Sequence, residues 1–153
     1  SVLGLDFWSP SMMEEFRKRW MSLGSDFTIT EAGHPMVKCS RDVAEALDIA
    51  GQRLTRGAYH KGGNITKDSL YAELSDDMFL DLCRAHNCRS TEMELSAIAV
   101  SAHKNNAHFG MVSAIVGVLP GSSFVESERA RATAEGRALQ VALRAVRTLA
   151  SED

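Results

Sequence analysis

Two carboxylates flank a thioether at Glu92-Met93-Glu94, inside the run Thr91-Glu92-Met93-Glu94-Leu95-Ser96-Ala97. These residue types suit a sugar. A vicinal cis-diol offers two O–H donors, and an ionised carboxylate is a pure acceptor with two oxygens, so one Glu can receive both hydroxyls in charge-assisted bonds. Met93 supplies a soft apolar surface for the ring. The spacing places the pair where a helix begins after a short apolar run, and acids at a helix start also complement the dipole with no ligand involved.

Other reactive side chains form no such constellation. His34, His60, His86, His103 and His108 are spread along the chain without a legible pairing, and solvated or capping roles are expected of them. Ser, His and Asp are present without a nucleophile-elbow pattern. Cys83 and Cys88 lack a second ligand pair at zinc-finger spacing, so no metal site is expected. Gly62-Gly63 reads as a strand kink, without the spacing of a phosphate loop. Trp8 and Trp20 read as packing residues.

The elements that must position these groups alternate. Residues 1–26 form a poorly assignable N-terminal segment, expected to be helical, with Met13, Phe16 and Trp20 on one face after Pro10. Residues 27–30 are β-branched enough for a strand, broken by 31–35. Ser40 is placed to cap a helix over about 42–52, whose Val43, Leu47, Ala50 and Leu54 recur at helical spacing and which ends near Gly57. A short strand over 59–66 leads into the loop 67–71. A helix follows Ser75-Asp76-Asp77, with Met78, Phe79, Leu82 and Cys83 inward and a stop near Asn87 or Cys88. The small-residue stretch after Glu94 is a helix suited to close packing on a sheet, fading at Asn105-Asn106. Residues 108–119 are apolar on both parities, which predicts a strand buried on both faces of a central sheet. In the final helix, 127–149, Ala134, Ala138, Val141, Ala142, Ala145 and Leu149 share one side. The pattern is α/β.

With 153 residues and 44% hydrophobic content, the chain can bury one real core. A net charge of −3, with Lys and Arg scattered, offers no field for a polyanion, so nucleic acid is not an expected partner. No run is apolar enough to span a bilayer and no signal-peptide pattern is visible, while the three cysteines are odd in number, so a cytoplasmic setting is expected.

Several motifs then fall in one order: Thr28-Ile29-Thr30-Glu31-Ala32, the helix near 42–52, Gly63-Asn64-Ile65-Thr66-Lys67-Asp68-Ser69-Leu70-Tyr71, the Glu-Met-Glu run, Gly110-Met111-Val112-Ser113-Ala114-Ile115-Val116, and the long last helix. In that order and spacing, residues 27–149 resemble the C-terminal half of the uridine phosphorylase branch of the nucleoside phosphorylase family. The resemblance implies a three-layer fold with a central mixed sheet flanked by helices, of which residues 27–153 are the C-terminal part. It also implies phosphorolysis of a nucleoside's N-glycosidic bond to free base and ribose 1-phosphate, as in nucleoside salvage. Inorganic phosphate is then the co-substrate, with no cofactor. Glu94 would accept the 2′ and 3′ hydroxyls, Met93 would lie along the sugar, and Glu92 would be a second polar contact or would orient the first.

Two departures from the family pattern touch the base pocket. Leu70 replaces the stacking aromatic, and neither Gln nor Arg follows where uridine-type relatives carry them, leaving Leu74 nearby. After the 110–116 run, the positions that are polar in relatives fall on Val118 and Leu119, which can be neither general acid nor hydrogen-bond donor. The family's phosphate-binding Gly and Arg segment has no equivalent in this chain. A missing N-terminal portion of the same protein is therefore an expected partner, and the resemblance implies a homo-oligomer. Two alternatives stay open: a nucleosidase using water, and a catalytically silent homologue or fragment with a binding or assembly role.

Overall fold

The computed structural model describes residues 9–31, 33–67, 77–118, 123–124 and 127–151. Among these residues, five helices and three small sheets make a mixed α/β structure. Helix α1 (Pro10–Met21) starts where Ser9 Oγ accepts Met12 N and Pro sits in the first turn. Its Trp20 is buried, with Met13 and Phe16 partly so on the same side, as their spacing predicts. The Trp20 indole N–H donates to Thr28 O and Met36 O, both at 3.1 Å. That one donor clasps the antiparallel pair β1 (Phe27–Ile29) and β2 (Pro35–Val37). Strand β2 was not expected, because Pro35 reads as a breaker; at the first residue of an edge strand, however, Pro forfeits no ladder bond.

Helix α2 (Arg41–Thr55) ends with Arg56 and Gly57 both at positive φ, 52° and 84°. Ser40 precedes it without capping it: its hydroxyl accepts Phe109 N at 3.0 Å instead, and its N–H donates to Phe109 O at 2.9 Å. Leu54, expected inward, is exposed. Ala46 and Ala50 pack against Val141 and Ala145 of α5 (Glu128–Leu149), with Leu47 and Leu149 alongside. Small residues on both helices let the backbones approach closely. Every α5 residue expected on the inner side is buried or half-buried.

A βαβ unit holds the Glu-Met-Glu run. Strand β3 (Gly63–Thr66), shorter than the expected 59–66, pairs in parallel with β4 (Cys88–Glu92) through α3 (Asp77–Ala85). Phe79, fully buried, and Ile65 form its core with Leu80, Leu82, Cys83 and Cys88 around them. The side chain of Met78 lies outside the described residues. Asn87 turns the chain from α3 into β4 at a φ of 50°. Helix α4 (Leu95–Lys104) follows at once and closes at Asn105, with Ala99 fully buried.

The expectation of a strand over 108–119 is overturned in its described part, 108–118. Only Gly117–Val118 (β5) is strand, paired antiparallel with Ser123–Phe124 (β6). Residues 107–116 are in no regular element, and Val112, Ile115 and Val118 are exposed. Apolar character on both parities records affinity for a covered site without supplying the neighbouring strand that would cover it. Gly110 anchors the segment: a Cβ there would sit 2.6 Å from Val43 Cγ1 of α2. No helix among the described residues is long and apolar enough to cross a membrane.

Candidate functional site

Glu92 closes strand β4, three residues before the first residue of the helix that it was expected to open. Its side chain, half-buried, is fully engaged. Oε1 accepts Asn64 Nδ2 at 2.7 Å and Thr66 Oγ1 at 2.6 Å, both from the neighbouring strand β3. Oε2 accepts the backbone N–H groups of Glu94 and Leu95, both at 2.6 Å. One carboxylate therefore takes up donors that α4 would otherwise leave unpaired at its start and ties both strand ends to the helix. Burial alone would raise its pKa. The bonds from Thr66, from the two backbone amides and from Asn64 outweigh that and hold the carboxyl below its ordinary range.

The network continues outward. Asn64 Oδ1 accepts Ser90 Oγ at 2.9 Å across the parallel register, and Thr66 Oγ1 also accepts Ser96 N at 3.2 Å. Lys67 N donates to Glu92 O at 2.9 Å. Its side chain is only 4% exposed, and burial pulls the ammonium's pKa down. Asn64, Thr66 and Lys67 lie in a sequence motif already singled out, but nothing in the sequence assigned them to Glu92. A polar run at the end of a strand was the available signal.

Glu94 stands differently. It occupies the N-cap position of α4 with no capping bond of its own, and its exposed carboxylate accepts Met93 N through Oε2 at 3.1 Å. Met93, beside it, is also exposed, at 42%. The structure thus brings Glu92, Met93 and Glu94 together at one strand-to-helix corner and separates their roles: Glu92 faces inward as an anchor, while Glu94 and Met93 face solvent.

Of the expected base-pocket residues, only Val118 is described. Val118 lies on β5 opposite Ser123 and is 61% exposed. Leu70, Leu74 and Leu119 lie outside the described residues, as does Trp8. Two open depressions are found among the described residues, one along the N-terminal half of α5 and one between α1 and α4 lined by Trp20, Ser96, Ala97, Val100, Ser101 and Lys104.

The histidines are better paired than their spacing suggested. His34 and His86 stack edge to face with ring centroids 6.4 Å apart. Burial, and then the His86 charge, lower the His34 pKa. His108 Nδ1 bonds to Asp42, and His103 packs edge-on against Phe27. Burial pushes the Cys39, Cys83 and Cys88 thiols up, away from thiolate reactivity. Among the described residues no three His, Cys, Asp or Glu side chains converge as a metal site. Comparison of the chain with protein-family models, with curated proteins and with solved structures finds no match in any of the three.

Proposed function

We propose that the protein is a uridine phosphorylase-like pentosyltransferase component of nucleoside salvage, in which the β4–α4 corner grips the ribose of a nucleoside. Glu94 is the acceptor for the 2′ and 3′ hydroxyls, Met93 is the apolar rest for the ring, and Glu92 is the positioning residue that fixes the backbone of Glu94. The observation that carries this reading is the asymmetry between the two carboxylates. Glu92 is saturated by four protein donors, whereas Glu94 faces solvent beside an exposed methionine. Loops and helix starts at the carboxyl ends of parallel strands are where α/β proteins place ligands, and β3 and β4 both end here.

The parallel β3–β4 pair would belong to the central mixed sheet of a three-layer arrangement. That arrangement would be completed by an N-terminal portion of the same protein that also brings phosphate-binding groups, in a cytoplasmic homo-oligomer. A binding or assembly role without turnover is the second reading. The exposure of Val118, which has no polar atom to give a base, favours it.

The test is calorimetric titration of uridine, 2′-deoxyuridine and inosine, with base release followed with and without phosphate. Glu94→Gln should weaken ribonucleoside binding by about one to two decades, the size expected when a charged acceptor is lost from a pair of hydroxyls. It should change 2′-deoxyuridine binding much less. Equal effects on both sugars would remove the ribose-gripping role. Base release only with phosphate marks a phosphorylase, release in water a nucleosidase, and binding without release a silent homologue. This chain alone is expected to give no phosphorolysis.

A further inference from the structure

Two imidazoles from distant parts of the chain meet between sheets that share no strand. His34 immediately precedes β2, and His86 lies in the turn between α3 and β4. Their ring centroids are 6.4 Å apart, with the ring planes at 82°. Both turns are fixed by their backbone: His34 N donates to Thr30 Oγ1 at 3.0 Å and its carbonyl accepts Thr30 N at 2.8 Å, while His86 N donates to Leu82 O at 3.1 Å and Asn87 N to Arg84 O at 3.2 Å. The two rings therefore project from anchored positions.

What the pair lacks is a polar partner. Each ring is half-buried, yet among the described residues no hydrogen bond or carboxylate reaches a ring nitrogen of either, whereas His108 holds Asp42. A half-buried imidazole nitrogen left unpaired loses hydration without compensation, which packing of the rings alone does not restore. Burial, and then the charge of His86, lower the His34 pKa and keep that ring in the neutral form that binds metals. The thiol of Cys88 is directed to His86 O at 3.9 Å, and burial holds it protonated.

The spacing suits a shared ion. Imidazole nitrogen sits about 2.0–2.1 Å from Zn²⁺, so two rings on one tetrahedral ion have their centres about 5 Å apart. A closure of about 1 Å seats both, and nearly perpendicular planes are no obstacle, because each ring turns about its own metal–nitrogen bond.

We infer that His34 and His86 form a two-imidazole clip for a borderline divalent cation, Zn²⁺ above all, whose remaining positions are filled by solvent. Two protein ligands make an open site, short of the three-residue cluster that the described residues do not contain. The ion fastens the β1–β2 hairpin to the β3–β4 unit and closes a long loop of chain, so its binding stabilises the fold. This clip is independent of the Glu94 corner.

The probe is Zn²⁺ alone, titrated into the purified chain by calorimetry in a non-chelating buffer, with thermal unfolding followed at the same concentrations. One ion per chain should bind and raise the unfolding midpoint. His34→Ala and His86→Ala should each weaken binding at least about tenfold and abolish the thermal shift, whereas His60→Ala, at an exposed histidine, should leave both unchanged. Nitrogen-15 NMR of the native chain reads the same site without a substitution: Zn²⁺ should move the ring nitrogens of two of the five histidines together. The absence of saturable binding overturns the inference, as does binding that survives in either alanine variant. Binding lost instead in Cys83→Ser or Cys88→Ser, or shifts at more or fewer than two rings, also overturns it.

Discussion

Thr66 Oγ1 donates to Glu92 Oε1 at 2.6 Å and in turn accepts Ser96 N at 3.2 Å, so one hydroxyl on β3 joins the end of β4 to the first turn of α4. The corner that presents Glu94 is therefore held by side chains that do not themselves face solvent. The geometry of the corner and the exposed carboxylate of Glu94 can be perturbed separately.

Glu92→Gln should lower stability, and Glu94→Gln should not. An amide in place of the Glu92 carboxylate turns one acceptor into a donor facing either two backbone N–H groups or the Asn64 and Thr66 donors. A loss of about 1.5–3 kcal/mol is expected for disrupted hydrogen bonds to a charged acceptor. Glu94→Gln, at an exposed position with a single local bond, should stay within about 0.5 kcal/mol. Urea denaturation of the two variants measures both. Similar losses would mean that Glu94 also anchors the corner.

Acid should erase the Glu92 contribution. Its carboxyl is depressed in the folded state, so the unfolded chain takes up protons first as pH falls. The stabilisation is full above the ordinary glutamate value of 4.5 and is lost as pH drops through the lower folded value. The stability gap between the native chain and Glu92→Gln should therefore be constant from pH 7 to 5 and shrink below that. A gap that widens on acidification would contradict the assignment.

Ala50→Leu should destabilise the α2–α5 contact by about 1–3 kcal/mol, the usual cost of overpacking. Ala50 is 1% exposed and Ala145 facing it 2%, so the added carbons have no free volume. Thermal unfolding would register this. An unchanged midpoint would show that the two helices can separate without loss.

Periodicity made the helices legible: the inner faces of α1 and α5 and the stop of α4 at Asn105 follow from residue spacing and end chemistry. Partners were not legible. The four donors of Glu92 include Asn64 and Thr66, 28 and 26 residues away, and no local pattern records that a parallel register will set them opposite it. Nor could the sequence show that Ser40 would bond to Phe109, 69 residues on, rather than cap its own helix. Residues 108–118 show the same limit from the other side, because an apolar run is read as covered whether or not a neighbour is there to cover it.

Base selectivity follows from what can reach the base. The candidate pocket residues are Leu70, Leu74, Val118 and Leu119, none with a polar side-chain atom, and Val118 is exposed on β5. Large discrimination between bases arises when a site's own buried donors and acceptors go unpaired with the wrong ligand. Apolar enclosure yields only about 10–200-fold. We therefore expect kcat/KM for uridine to lie within that range of the values for thymidine, cytidine and inosine at saturating phosphate. Where turnover is absent, the same ratio should hold in Kd. A uridine preference above about a thousandfold would require a polar reader outside these four positions and would move the base pocket away from them.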